Sequence, residues 1–310
     1  MNPDINKFTS NAKALFTDEL WTLDTTDSKR SWKNIVRFMK LVRITFHTFA
    51  ENRMGFQCVS LSYFVTLAIV PLLALVFAVS GGLGVQDKLL SVLYNTIPAN
   101  PELIEMIMDK AGNIIDTAKS GVVGLIGALT FLWAVIWLMF QVERVFNNVW
   151  GIRKIPRKMY KRFSFYLLAL FLIPFIVLVF GTGIVYYTNL TKLIGLDLAE
   201  LRFLPQFLGW LGVYIVSVFT FSMMYKFIPA PKIKYISAFK SALVSGFVFV
   251  LFQYLYLETQ VFMSRLNDVY GVLAAIPLFL IWLNFSWQII IYGAELTYSY
   301  ENIDTYQIPE

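Results

Sequence analysis

Charged side chains are missing from six long stretches of this chain: Met54–Gln86, Ser120–Val142, Phe163–Thr191, Phe203–Tyr225, Ser241–Leu257 and Val269–Ala294 contain no Asp, Glu, Lys or Arg. A soluble core of this length has no use for so much uninterrupted hydrocarbon, whereas roughly 20 helical residues cross a bilayer core of about 30 Å. Five stretches are long enough outright. The one from Ser241 becomes so when Lys240 and Glu258 reach for water at the two interfaces. A mean hydropathy of +0.62 agrees. The chain also has one Cys and one His, which excludes a disulfide framework and a Cys/His metal cluster. Cys58 reads as a small apolar residue at the start of the first span and His47 as a helix-face residue. No signal peptide precedes the first apolar run, so that span itself directs insertion.

What charge there is sorts by side. Lys plus Arg number 20 in one alternating set of connections and 6 in the other, as the positive-inside rule requires of an even number of spans. The expectation is an all-α polytopic membrane protein with six transmembrane helices, both termini cytoplasmic, and amphipathic interfacial helices. Residues 1–53 form a cytoplasmic region and 54–298 the transmembrane domain, with spans near 58–84, 121–143, 164–188, 205–226, 239–259 and 271–296. Residues 299–310 form a cytoplasmic tail. The net charge of +6 suggests nucleic acid, but basic loops facing anionic lipid account for it.

Two segments outside the spans are amphipathic. From Trp32, apolar residues recur at Ile35, Val36, Met39, Val42, Phe46 and Phe49, while Lys33, Arg37, Lys40 and Arg43 take the other side. This predicts a basic helix that either contacts anionic headgroups through those four cations or packs on the cytoplasmic ends of the bundle. Asn100-Pro101-Glu102 reads as a cap and first turn, starting an external helix over about 101–119. It either rests on the outer leaflet or covers an outward-facing cavity.

Inside the spans, Pro71, Pro174 and Pro277 are candidate helix breaks, because unwound backbone is tolerated only where it is buried or lines a cavity. Small residues at Ala238, Ala242 and Gly246 allow close helix contact. No ionisable group falls at a midplane. Glu143 and Glu295 fall at the cytoplasmic rim with Arg144 and Asn147, forming a candidate functional cluster. The interior offers Ser62, Tyr63, Thr66, Gln141, Gln253, Asn284 and Gln288, either lining a polar cavity or bonding between helices.

The run Ser60-Leu61-Ser62-Tyr63-Phe64 with Pro71-Leu72-Leu73, the segment Glu143–Trp150 containing Asn147-Asn148-Val149-Trp150, and the ending Tyr270-Gly271, Trp282-Leu283, Gly293-Ala294-Glu295-Leu296 resemble the YihY family. That family is also labelled virulence factor BrkB and was formerly misnamed ribonuclease BN. The resemblance runs from about Ile35 to Leu296. It implies a six-helix protein of the bacterial cytoplasmic (inner) membrane and supplies no catalytic residues. The family's Gly-Ala pair early in the fifth span is Ser241-Ala242 here.

A nuclease needs acid or His clusters that hold metal ions, so no enzyme, and no ribonuclease, is expected. No cofactor or metal is expected either. The reading is a transporter or flippase for a lipid-like or amphipathic envelope component. The alternatives are a cation or proton antiporter using the rim carboxylates, and a non-transporting membrane scaffold. The expected partners are membrane lipids, through anionic headgroups at the cytoplasmic face, and not nucleic acid; a homo-oligomer is allowed.

Overall fold

The structure is a computed structural model and describes residues 21, 30–82, 109, 122–152, 203–264 and 271–306. These contain six long helices: α1 (Arg30–Glu51), α2 (Met54–Gly82), α3 (Val122–Val149), α4 (Phe203–Phe227), α5 (Tyr235–Ser264) and α6 (Gly271–Asn302). Among the described residues, Gly209–Phe227, Tyr235–Thr259 and Pro277–Asn302 are long and apolar enough to cross a membrane, and Met54–Ala68 is a shorter apolar helix. The span expected at 164–188, with Pro174, lies outside the described residues, as does the helix expected at 101–119 apart from Asp109.

Helix ends follow local backbone chemistry more than the limits of the apolar runs. α3 continues past 143 to Val149 and stops where Gly151 takes φ +67°. There Ile152 N–H donates to Asn147 O at 3.0 Å and Gly151 N–H to Asn148 O at 2.9 Å, the paired closure of a Schellman cap. Between α1 and α2 the left-handed position is held by Arg53 at φ 49°, where a Cβ carries strain. The backbone does not unwind at the two described candidate breaks: α2 runs helically through position 71 and α6 contains Pro277 within its length. A proline removes one N–H from the ladder, and the rest of the helix closes around it.

α6 is the hub and touches each of α1 to α5. α4 and α5, joined by a short connection, form the most extensive helix pair. Small residues make that pairing possible: Ala238 and Ala242 are fully buried, and a Cβ on Gly246 would meet Val218 Cγ2 at 2.9 Å. Tyr214 Oη spans the same pair and donates to Leu243 O at 3.2 Å. The buried core gathers at the basic end of the bundle, where α3, α4 and α6 finish and α2 and α5 begin. Its members include Met54, Cys58, Phe146, Tyr225, Ala242, Ile291 and Ala294.

α1 packs on α6 and α2. It buries Val36, Leu41, Ile44, Thr45, Thr48 and Phe49, leaving Ile35, Phe38 and Phe46 exposed. The Phe49 and Tyr292 rings stack at 3.7 Å, and Thr45 Oγ1 lies 2.9 Å from Ser299 Oγ. Beyond α6 the chain folds back so that Tyr306 Oη meets His47 Nδ1 at 2.9 Å. Burial, reinforced by the charge of Glu51, pushes the Tyr306 phenol up to about 12.

The tightest point is Gly293. Tyr225 Oη, 2.8 Å from Ser245 Oγ, occupies the space a Cβ on Gly293 would need, and Ser245 Cβ would lie only 2.8 Å from that atom. Three helices therefore meet over one missing methyl group. Gly293→Ala should force α4 and α5 off α6 and cost about 1–3 kcal/mol, the usual penalty for overpacking. Thermal unfolding in detergent should show a clear fall in Tm, and adding Tyr225→Phe should recover part of it. An unchanged Tm in Gly293→Ala would disprove the tight contact.

Candidate functional site

At the basic end, α3 presents two different polar faces. Gln141, Arg144, Val145 and Asn148 follow the spacing of a single helix face, and Ile152 follows just beyond the helix end. Opposite them, Gln57 and Ser60 sit one turn apart on α2. Together these seven residues line a cavity of about 450 Å³. Among the described residues, no carboxylate lines it and Arg144 is the one cation. The Gln57 amide is held at the α1–α2 junction, where Nε2 donates to Asn52 O at 3.0 Å.

The other polar face of α3 points into the protein. Glu143 and Asn147 are buried, although each neighbours a cavity residue or lies within one turn of it. Consecutive helix positions are rotated by about 100°, which sends Glu143 inward and Arg144 outward. Asn147 acts as a clamp. Its Nδ2 donates to Glu143 O at 2.7 Å, and its Oδ1 accepts from Ala230 N–H at 2.8 Å, fixing the α4–α5 connection to α3. Lys226 Nζ donates to Ile233 O within the same connection, and Lys234 N–H reaches Glu301 Oε1 of α6 at 3.3 Å.

Glu295 lies fully buried on α6, and neither carboxylate oxygen has a hydrogen-bond partner at ordinary distance. Thr48 of α1 and Asn52 of the α1–α2 junction are the polar side chains that face it, with Glu51 in electrostatic range. The Thr48 hydroxyl is bonded to Ile44 O at 2.8 Å. The rim cluster read from the sequence is thus divided three ways: Arg144 at the cavity, Glu143 with Asn147 in the core, and Glu295 under α1.

Of the expected cavity-lining residues, Gln141 lines the cavity. Ser62 and Thr66 satisfy their hydroxyls on their own helix, at Cys58 O (2.9 Å) and Ser62 O (2.8 Å). Tyr63 is 59% exposed and lies edge-on to Phe64, so it faces outward. Gln253 Oε1 accepts from Trp282 Nε1 at 2.8 Å, joining α5 to α6. Asn284 Oδ1 accepts from Gln288 Nε2 at 2.6 Å along α6. The Gln253–Trp282 bond is the interhelical alternative that the sequence left open, whereas the bonds of Ser62, Thr66 and Asn284 stay within a single helix. Gln57, Ser60 and Asn148 were not among the expected lining residues. The spacing 141, 144, 148 of polar residues was the available signal for Asn148.

The four basic side chains of α1 differ in their surroundings. Lys40 Nζ sits 5.4 Å from the Trp21 ring centroid, while Lys33 and Arg37 lie on the exposed side and Arg43 is half-buried.

Asn147→Leu keeps the branching of the side chain while removing its polar atoms, and it strands Ala230 N–H and ends the contact with the Glu143 carbonyl. The cost should be about 1–3 kcal/mol for the newly unpaired, partly buried amide. It should appear as a lower Tm in detergent, together with faster proteolysis in the 228–234 connection. A Tm equal to that of the parent would remove Asn147 from its role as a clamp.

The chain is matched over residues 45–309 by the family model described as virulence factor BrkB. It is 26% identical to a UPF0761 membrane protein of Chlorobium chlorochromatii over 87% of this chain and 61% of that protein. It is 30% identical to a UPF0761 membrane protein of an Azoarcus species, over 83% of this chain and 62% of the relative. A UPF0761 membrane protein of Haemophilus influenzae is 24% identical, over 82% of this chain and 93% of its own length. The chain thus spans about three fifths of the Chlorobium and Azoarcus relatives and nearly all of the Haemophilus one. No solved structure matches it. With the family model covering all but the first part of the chain and three apolar helices of spanning length, the protein is a membrane protein belonging to the virulence factor BrkB family.

Proposed function

We propose that this protein moves a lipid-like or amphipathic envelope component across the bacterial cytoplasmic membrane, and that it is a carrier rather than an enzyme. The observation that carries this reading is the cavity of about 450 Å³ between α2 and α3. Its volume is in the usual range for a small-molecule site, roughly 300–1,000 Å³. Polar groups line it, yet Phe56, Val59 and Tyr63, on the adjoining face of α2, are exposed hydrocarbon and aromatic surface. A polar chamber opening beside a lipid-facing apolar stripe matches a molecule with a headgroup and a tail. In the topology we propose, six spans place both termini and the basic end in the cytoplasm, so the cavity lies at the level of the inner-leaflet headgroups.

A second reading has its own observation. Glu295 is buried without a hydrogen-bond partner, and such carboxylates mark proton and cation pathways in membrane proteins. Exchange of a cation through Glu295 and Glu143 would be abolished by Glu295→Gln and indifferent to Arg144→Gln. Amphipath transport would show the reverse pattern.

Two measurements check the proposal. In intact cells, Arg265→Cys should label from outside and Arg157→Cys should not; the native Cys58 is buried and contributes little background. External labelling at Arg157→Cys would overturn the proposed topology. In proteoliposomes carrying an acyl-labelled phospholipid, the protein should speed transbilayer movement at least about tenfold over empty vesicles, a barrier change of about 1.4 kcal/mol. A rate equal to that of empty vesicles would reject the carrier.

A further inference from the structure

Resting on the amphipath reading, the composition of the α2–α3 cavity narrows the substrate class. We propose that it selects a phosphodiester headgroup esterified to a hydroxyl-bearing alcohol, and discriminates against headgroups that carry an amine.

The first step concerns charge. Among the described residues, Arg144 is the one ionised side chain lining the cavity, and no described carboxylate accompanies it. A guanidinium presents a planar fork of donors that matches two oxygens of a phosphate, and the exposed Arg144 is open to such a group. A phosphodiester carries one negative charge and balances the single Arg144. A phosphomonoester carries about −1.5 to −2 near neutral pH and would leave part of its charge uncompensated.

The second step concerns the rest of the headgroup. A zwitterionic phospholipid must also place an ammonium group, which calls for a carboxylate or the face of an aromatic ring. None of the described residues lining this cavity is acidic or aromatic. What the lining does offer is neutral hydrogen bonding: the amides of Gln57, Gln141 and Asn148 and the hydroxyl of Ser60. Amides and hydroxyls both donate and accept, which is what an alcohol or sugar hydroxyl requires. Gln57 is partly committed through its bond to Asn52 O, so its Oε1 and remaining N–H are the groups with a fixed direction.

The third step concerns the tail. Gln57 and Ser60 alternate along α2 with Phe56, Val59 and Tyr63, and Phe56 is 78% exposed. A headgroup seated between α2 and α3 would therefore leave its acyl chains along this stripe without entering the protein.

The test uses the full chain, purified in detergent, with retained lipid counted by native mass spectrometry at equal doses of phosphatidylglycerol and phosphatidylethanolamine. Phosphatidylglycerol should bind at least about tenfold more tightly, a ratio in keeping with the cost of leaving one polar group unpaired. Arg144→Gln should weaken binding of both lipids, since both carry the phosphodiester that Arg144 pairs with. Lys232→Gln, which removes an exposed cation at the same end outside the cavity, should leave the binding of both unchanged. Asn148→Leu should lower phosphatidylglycerol binding while sparing the weak binding of phosphatidylethanolamine, and gives a second route should Arg144→Gln unfold. Undiminished binding in Arg144→Gln, an equal loss in Lys232→Gln, or equal binding of the two lipids in the parent would overturn the proposal. Inorganic phosphate and glycerophosphoglycerol, tested as competitors, separate a lipid from a soluble phosphate. Competition by glycerophosphoglycerol supports the site. Should it compete while no labelled lipid crosses the vesicle membrane, the headgroup site stands and the carrier reading falls. Movement of both lipids at equal rates, with no binding preference, leaves the carrier and removes the site.

Discussion

The absence of a side chain at Gly293 is the constraint on which the helix arrangement depends. In a bilayer, lipid tails are as apolar as leucine, so two helices gain little from the hydrophobic effect by meeting. What holds them is dispersion between closely approaching surfaces and hydrogen bonds between them. Gly293 admits Tyr225 of α4, whose hydroxyl is bonded to Ser245 of α5, so one position on α6 holds two other helices. Ala238, Ala242 and Gly246 do the same for the α4–α5 pair. Large aromatic residues then fill around these contacts, as Phe221 does against both Tyr225 and Phe249.

Hydrogen bonding shows a related economy. Thr45, Thr48, Ser62, Thr66, Ser217, Thr297 and Ser299 all return their hydroxyls to a carbonyl one turn earlier on their own helix. A serine or threonine in a span therefore needs no partner helix and indicates no cavity. Bonds between helices are fewer and come from longer side chains, such as Asn147 to Ala230 and Trp282 to Gln253. The buried Glu295 is the exception: Thr48, the hydroxyl facing it, has its bond directed along α1.

This explains which parts of the molecule were legible from its residues. Helical membrane architecture follows from the charge-free stretches, because a bilayer penalises charge regardless of tertiary context. The limits of the helices were less legible, since α3 and α6 run on into polar sequence where Gly151 and the bonds of Ser299 and Asn302 decide the ends. The buried face of α1 was legible only in part. Val36 and Phe49 pack inward as the apolar stripe suggests, but Phe46 remains exposed and Thr45 and Thr48 go inside. Hydrophobicity ranks those residues the other way. Contact with Ser299 and the neighbourhood of Glu295 make the two threonines suitable for the interior.

The site shows the same limit at shorter range. Glu143 and Arg144 are neighbours in sequence, and proximity suggests that they act together. Helical rotation separates them, giving the acid to the core and the base to the cavity. Grouping by chain position therefore merged two environments that have different dielectric surroundings and different partners. Grouping by helix face recovers the division: Gln141, Arg144 and Asn148 fall together, and Glu143 falls with Asn147. α3 can thus anchor the α4–α5 connection through one face while its other face is left to a ligand. A helix fixed by Asn147 on its inner side gives the cavity a stationary wall, and the Asn52–Gln57 bond ties the opposite wall to the α1–α2 junction. Any movement that widens or closes the cavity would then have to arise on the α2 side, at the junction where Arg53 already holds a left-handed backbone.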